Sequence, residues 1–238
     1  MTTSLTSRIR RVVTVLRRPM KTDYWTIRFW ERHYRTGGKS GEGSYGRLAE
    51  FKARVIKDIL AEHEVESVVE LGCGDGNQLA MIDYPRYVGL DVSPAAINRC
   101  RDRFSADPGK EFHVYVPGAK LGAAAEMAVS LDVIYHLIED DLYDRYMRDL
   151  FGAATKLVVI YSSDEERSSQ WPEVRHRRFS DWVAREAPGW RLAERIDQVY
   201  PYVAGEHETS WSDFFVYLRS GGLSRSLKLQ WGVSPSHH

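Results

Sequence analysis

The sequence predicts an α/β fold in which helices cover both faces of a mostly parallel sheet. Short apolar runs alternate with segments of helical periodicity between residues 67 and 187. One apolar run leads into a glycine-rich turn at 72–76, and the next run is followed by the carboxylate of Asp91. Strands that alternate with helices form a doubly wound parallel sheet, and such sheets bind ligands beyond the carboxyl ends of their strands.

The predicted elements follow from apolar spacing and from the residues that bound each run. Residues 23–35 and 47–60 repeat apolar side chains at helical intervals, and Ser93-Pro94 is a typical start of a helix. Further helices are expected near 77–82, at 93–104, at 140–151 and near 178–187. Strands are expected at 67–71, 86–90, 111–116, 127–134 and 156–161, and two more β-rich runs lie at 198–202 and 213–219.

The composition disfavours several classes of protein. The 33 basic and 33 acidic residues of the 238-residue chain cancel, which argues against a dedicated nucleic-acid binder. No apolar run approaches the ~20 residues that span a bilayer, and no secretory signal is recognisable. The two cysteines, Cys73 and Cys100, have no metal-ligand spacing and fit a reducing compartment. A cytoplasmic protein is therefore expected.

Three regions differ in character along the chain. Residues 1–60 are expected to form a helical arm and a glycine-rich lid, residues 61–219 the main domain, and residues 220–238 a loosely ordered tail. The basic segment 1–21 fits either a contact with an anionic surface or partner subunit, such as a second copy in a homodimer, or a solvated helix. Residues 37–46 hold five glycines and fit either a mobile lid or a linker.

The glycine turn carries the most specific functional signal. Glycine occupies every second position of 72–76, and Glu70 precedes the turn by two residues. Because position 77 is Asn, the spacing differs from the Gly-x-Gly-x-x-Gly pattern of dinucleotide sites. The glycines allow close approach to a ligand, and the carboxylate of Asp91 is placed to accept hydrogen bonds from ribose hydroxyls. The alternative is a glycine-rich loop without a ligand.

Several segments resemble the class I S-adenosylmethionine (SAM)-dependent methyltransferases, whose pattern is Asp/Glu-x-Gly-x-Gly-x-Gly. The segments are GGKSGEGSYGRLAEFKA, VVELGCGDGNQL, SLDVIYHLIEDD, IYSSDEE, VRHRRFSDWV and YPY…TSWSDFFVY. Together they are similar to sugar O-methyltransferases that cap methylmannose polysaccharide precursors at the anomeric hydroxyl. The resemblance implies a seven-stranded sheet closed by an antiparallel hairpin at 198–202 and 213–219, SAM as cofactor, and a carbohydrate acceptor in polysaccharide biosynthesis.

We assign the cofactor site to the residues that end or follow the predicted strands. They are Glu70, Gly72, Cys73, Gly74, Asp91, Val92 and Ser130. Asp91 is expected to hold both ribose hydroxyls, and Glu70 is expected to support the methionine end near its amino group. These roles predict that the protein binds SAM and its product, S-adenosylhomocysteine (SAH).

The catalytic base is expected just after the fourth strand. Methyl transfer from a sulfonium requires an in-line nucleophile and removal of its proton. His136 lies where the acceptor should bind, and an imidazole titrates near neutrality. Asp132 is expected either to orient His136 or to face the cofactor. The alternative is a histidine that caps the next helix or bonds to a carbonyl group.

The acceptor site is expected to use polar and aromatic residues after the fourth and fifth strands and in the closing hairpin. We assign Tyr135, Glu139, Arg175, His176 and Trp211 to it. Sugars stack on indole rings and present hydroxyls, whereas the alternative for the basic residues is a solvated helix start. No metal site is assigned, although Asp132 and Asp164 end neighbouring strands and an Mg²⁺ ion is an alternative there.

The function predicted from the sequence is SAM-dependent O-methylation of a small hydroxylated acceptor, with a sugar or short mannoside favoured. Two alternatives stand beside it. One is N- or carboxyl-methylation of a small metabolite, and the other is a protein that binds SAM without catalysis. A nicotinamide oxidoreductase is opposed by the glycine spacing at 72–76.

Overall fold

The computed structural model describes residues 24–119, 121 and 124–221. The expectations for the basic arm at 1–21 and for nearly all of the tail therefore lie outside the described residues. In the described part, helices occupy α1 (Trp25–Arg35), α2 (Gly46–Glu62), α3 (Pro94–Arg103), α4 (Asp140–Gly152) and α5 (Phe179–Glu186). Strands occupy β1 (Val68–Leu71), β2 (Tyr87–Asp91), β3 (Lys110–Val114), β4 (Ala125–Leu131), β5 (Ala154–Ser162), β6 (Trp190–Ile196) and β7 (Asp213–Arg219).

The seven strands form one sheet in the order β3-β2-β1-β4-β5-β7-β6. The first five strands are parallel, and β7 is antiparallel to both β5 and β6. The fold class predicted from the sequence is thus confirmed. The strand order reverses between β1 and β4, and the carboxyl ends of these two strands flank the point where open α/β sheets bind ligands.

The core lies on both faces of the sheet because its central strands are apolar throughout. All four residues of β1 are buried, as are the last six residues of β5. Tyr146, Met147 and Leu150 of α4 pack on one face, and Phe51, Ile56 and Ile59 of α2 pack on the other. Ser93 caps α3 by accepting a hydrogen bond from Ala96 N at 3.1 Å, as its sequence predicts.

Two predicted elements are wrong. The helix near 77–82 is a single 3₁₀ turn at Leu79–Met81, and the chain is extended at Ile82. Pro85 disfavours a helical conformation at Tyr84, so the turn does not continue into a helix before β2. The strand at 198–202 is absent, and β6 takes its place as the partner of β7. Pro201 lacks the N–H that a ladder needs, whereas β6 tolerates charged side chains because it lies at the sheet edge.

The fourth strand ends earlier than the expected 134. Its last residue is Leu131, and Asp132 turns the chain by adopting a φ of 60°. This left-handed conformation is uncommon for a residue other than glycine. Residues 132–136 then lie at the carboxyl ends of the strands, where Ile134–His136 form a short 3₁₀ turn.

No helix within the described ranges is long and apolar enough to cross a membrane.

Candidate functional site

A cavity of about 590 Å³ lies at the carboxyl ends of β1, β2 and β4. This volume is within the range typical of small-molecule sites. Helix α1 and the segment 37–46, called the glycine loop below, lie over the sheet at this position and complete the wall. Residues assigned to the cofactor from the sequence line the cavity together, namely Glu70, Gly72, Cys73, Gly74, Asp91 and Val92.

The glycine turn after β1 requires its glycines for two reasons. Gly72 and Gly74 have φ values of 89° and 56°, which residues with a Cβ rarely adopt. A Cβ at Gly72 would collide with Val133, and a Cβ at Gly74 would collide with Ser40 of the glycine loop. Val133 and the glycine loop therefore leave no space for a side chain at these two positions of the turn.

Asp91 is buried, and both its oxygens accept backbone hydrogen bonds. Gly74 N donates to one oxygen and Ser93 N donates to the other, each at 2.9 Å. Burial raises the pKa of Asp91 to about 6, although these hydrogen bonds act in the opposite direction. A carboxylate fixed in this way keeps spare lone pairs toward the cavity for hydroxyl donors.

Glu70 is the second buried carboxyl group of the cavity wall. The Tyr87 hydroxyl donates to it at 2.6 Å, and burial raises the pKa of Glu70 to about 7. The nearby Lys52 ammonium lowers the pKa and thus opposes the burial effect. A cationic ligand beside Glu70 would stabilise its ionised form.

The glycine loop is held over the turn by Asp75. Ser40 donates to the two oxygens of Asp75 through its N–H and its hydroxyl, both at 2.9 Å, and the Tyr45 hydroxyl donates at 3.1 Å. Asn77 Nδ2 donates to Ser44 O at 2.7 Å. Hydroxyls among the glycines thus attach the loop to the turn below it.

His136 lines the same cavity as the residues assigned to the cofactor. Its Nδ1 lies 2.9 Å from the carbonyl oxygen of Glu173, and because a carbonyl only accepts, Nδ1 carries the proton. Burial lowers the pKa of His136 below its ordinary value. The ring is therefore neutral near pH 7, and its Nε2 has a free lone pair that is able to accept a proton.

The Asp132 carboxylate makes no direct hydrogen bond to His136, although the sequence suggested one. Its carboxylate accepts hydrogen bonds from Lys52 Nζ at 2.5 Å, Tyr135 Oη at 2.9 Å and Ser212 Oγ at 3.4 Å. The φ of 60° turns the Asp132 side chain toward α2 instead of toward the histidine. A backbone carbonyl, which has no sequence signature, fixes the tautomer instead.

Of the residues assigned to the acceptor, only Tyr135 lines the cavity. The side chain of Glu139 accepts from Thr26, Arg175 donates to Ile138 O and pairs with Asp140, and His176 Nδ1 bonds to Ser163 Oγ. Trp211 stacks on Tyr202 with 3.7 Å between ring centroids and contacts Trp171 edge-on. Trp171 is the indole of this group that reaches the cavity.

Ser130, which the sequence assigned to the cofactor, is not among the residues that line the cavity. It is buried, and its hydroxyl shares a 2.7 Å hydrogen bond with Tyr146, whose ring lines the wall. Sequence reasoning missed other wall residues, among them Thr26, Ile27, Trp30, Tyr34, Lys52, Tyr115 and Glu173. Four of them belong to α1, whose dense aromatic pattern was the available signal for a functional surface.

The carboxylates considered for a metal ion have other partners. Asp132 forms an ion pair with Lys52, and Asp164 accepts from Ser180 N at 2.9 Å at the start of α5. Among residues 24–119, 121 and 124–221, no three His, Cys, Asp or Glu side chains are grouped to hold a metal ion.

Searches with family models and among curated proteins give no match to this chain. Solved structures, however, share its architecture. The N-methyltransferase NodS from Bradyrhizobium japonicum WM9 in complex with SAH aligns with a TM-score of 0.66 and 16% identity over 82% of this chain and 98% of NodS. The chain has the methyltransferase fold.

Two further structures agree with this assignment of the fold. Magnesium protoporphyrin IX methyltransferase (ChlM) from Synechocystis PCC 6803 with bound SAM has a TM-score of 0.56 and 15% identity, with 80% of this chain and 89% of ChlM covered. The methyltransferase domain of bacterial CtHen1-C has a TM-score of 0.57 and 17% identity, with 71% and 97% covered. At such low identity the similarity establishes the fold and leaves the acceptor open.

Proposed function

We propose that the protein is a SAM-dependent O-methyltransferase whose acceptor is a small hydroxylated molecule, with a sugar or short mannoside favoured. The observation that carries this proposal is the geometry of His136. A neutral imidazole whose Nδ1 is bonded to Glu173 O lines the cavity that the glycine turn and Asp91 also line, which leaves Nε2 for the acceptor. Such a base removes a proton from a hydroxyl as the methyl group is transferred.

The charges of the cofactor half support SAM as the ligand. Asp91 and Glu70 are carboxyl groups on the cavity wall, and the sulfonium and amino groups of SAM are cationic. Asp91 receives the ribose hydroxyls and Glu70 faces the methionine end. Gly72 and Gly74 line the same cavity, and their positive φ values give the tight turn that brings the backbone to its wall.

The acceptor half supports a hydroxylated, flat-faced molecule. Trp30, Tyr135 and Trp171 give the wall near His136 three aromatic rings. Rings of this kind stack on the apolar faces of sugars, and Glu173, whose carbonyl oxygen fixes His136, also lines the cavity. An acceptor hydroxyl within hydrogen-bond reach of His136 Nε2 completes the arrangement.

Nitrogen methylation is the second candidate, since NodS is an N-methyltransferase. A neutral histidine also accepts a proton from an ammonium group, so the base alone does not separate the two reactions. The lining supports oxygen acceptors because Trp30, Tyr135 and Trp171 suit the face of a pyranose ring.

Transfer of a labelled methyl group from SAM to a panel of acceptors tests the proposal. The panel holds mannose, short mannosides, other sugars, primary and secondary amines, carboxylic acids and RNA. Label in an alkali-stable ether on a sugar is the expected result. Label on amines alone supports the second candidate, and SAM binding without transfer to any acceptor contradicts catalysis.

A further inference from the structure

Asp132 joins four separate segments at the edge of the cavity. Asp132 and Tyr135 lie in the segment after β4, and the Tyr135 hydroxyl donates to the Asp132 carboxylate. The carboxylate also accepts hydrogen bonds from Lys52 of α2 and from Ser212 before β7. The fourth segment is the glycine loop, because a Cβ built on Gly43 would lie 2.8 Å from Asp132 Oδ2. The backbone of Gly43 therefore rests against the carboxylate that Lys52 holds.

Lys52 is fully buried and is the one Lys or Arg among the described residues that line the cavity. Its ammonium lies 2.5 Å from Asp132 and 5.2 Å from the centroid of the Tyr161 ring. A buried charge requires its partner, so the pair fixes the position of the Asp132 carboxylate in the fold. The strained backbone of Asp132 persists because these contacts determine it.

The same carboxylate is linked to His136 through one side chain. Asp132 accepts from the Tyr135 hydroxyl, and the Tyr135 ring packs on the His136 ring with 4.6 Å between centroids. The Trp30 ring contacts His136 edge-on with 4.8 Å between centroids. Displacement of Asp132 would release Tyr135 and with it one of the two rings that confine the imidazole.

We propose that the Lys52–Asp132 pair is a positioning device that docks the glycine loop at Gly43 and, through Tyr135, holds the ring of His136. This inference rests on the proposed function, in which His136 is the base. Neither residue touches the reacting atoms in this assignment. Asp132 sets where the loop closes and how the base is presented.

Three charged or titratable groups that face His136 affect its pKa, so this pKa reports a change at Asp132. Asp132 and Glu173 raise the pKa of His136, whereas His176 lowers it, each in addition to the larger lowering by burial. Asp132→Asn keeps the size of the side chain and an oxygen acceptor for Tyr135 but removes the charge. The pKa of His136 should then fall below that of the wild type.

The test combines histidine ring NMR with amide hydrogen exchange on the full chain, and neither needs turnover. Asp132→Asn should make His136 titrate at lower pH and should speed exchange in residues 37–46 in the presence of SAH. Asp83→Asn is the charge-matched control at an exposed site before β2, and it should change neither signal. A folded Asp132→Asn with wild-type titration and exchange overturns the proposal.

A second pair of variants keeps the inference testable if Asp132→Asn does not fold. Gly43→Ala places a methyl group against Asp132, whereas Gly41→Ala meets nothing within 4 Å. Gly43→Ala should therefore speed loop exchange and lower kcat roughly 10–100-fold, with a smaller change in KM. Gly41→Ala should speed loop exchange much less. Equal effects of the two alanines overturn the proposal, whereas a wild type that methylates no acceptor refutes the proposed function alone.

Discussion

The Nδ1 atom of His136 lies 2.9 Å from the carbonyl oxygen of Glu173, and this contact decides which nitrogen of the imidazole faces the cavity. Arg175 N donates to Tyr135 O at 2.7 Å, so the segment that carries Glu173 is itself attached to the segment that carries His136. The hydrogen bond to Glu173 O thus fixes the tautomer of the proposed base, and the bond between Arg175 and Tyr135 holds the two segments together.

Replacement of His136 by alanine should abolish most turnover without loss of cofactor affinity. A general base contributes ~10²–10⁴-fold to rate, and we expect kcat to fall by about that factor. SAH affinity from calorimetry should stay near the wild-type value because His136 faces the acceptor half. His63→Ala is the matched control, since His63 follows α2 at the opposite end of the sheet.

Near-normal turnover of His136→Ala, measured at saturating SAM, would show that the histidine is structural. Three other titratable groups after the later strands, Asp164, His176 and His207, do not line the cavity. Asp164 and His176 already have hydrogen-bond partners in Ser180 and Ser163. Such a result would therefore direct the search to a water molecule or to the acceptor itself as the proton carrier.

Asp91→Ala should weaken SAM binding by roughly 2–3 kcal/mol, the cost of losing a charged hydrogen-bond acceptor for the ribose hydroxyls. Calorimetry measures the change, and Asp102→Ala on the exposed face of α3 is the control. Because Asp91 also accepts from Gly74 N and Ser93 N, thermal unfolding of the variant must be measured alongside. Unchanged SAM affinity, or tight NAD binding by the wild type, would refute the assignment.

The parts of this molecule that the sequence predicts are those with local patterns. Alternating apolar runs located β1 to β5, and the spacing of Gly72 and Gly74 located the cavity. The edge strand β6 escaped prediction because three charged residues interrupt its sequence, Trp-Arg-Leu-Ala-Glu-Arg-Ile, and only its pairing with β7 makes it a strand.

Contacts between distant segments explain the other misses. Nothing near Lys52 in the sequence indicates that it meets Asp132, 80 positions away. Trp171 and Trp211 are equivalent candidates by residue type, and only the fold places Trp171 at the cavity and Trp211 behind it. The bond from His136 to a backbone carbonyl leaves no trace in residue identities.

The glycine loop is expected to become more protected when ligands bind. Its attachment to Asp75 runs through Ser40 and Tyr45, and residues 41–44 line the cavity. Hydrogen exchange of residues 37–46 should slow on addition of SAH and acceptor, and Asp75→Asn should reduce that protection. Identical exchange with and without ligands would identify the segment as a passive linker.

Glu70 should make the ligand-free protein less stable as the pH rises. Burial raises its pKa from the ordinary value of 4.5 to about 7, so the folded state binds a proton that the unfolded state has lost over this interval. The contribution of Glu70 to stability is therefore fully present below pH 4.5 and decreases as the pH rises through 7. Across that shift the decrease is about 3 kcal/mol.

Glu70→Gln removes this dependence while it keeps an oxygen that accepts from Tyr87. The variant should match the wild type in denaturant unfolding near pH 4.5 and should exceed its free energy of unfolding at pH 8. Glu50→Gln, at an exposed position of α2, controls for the loss of one negative charge. If the difference in free energy of unfolding between wild type and Glu70→Gln is the same at both pH values, burial does not hold the Glu70 carboxyl neutral. A cationic ligand group is then not needed to ionise it.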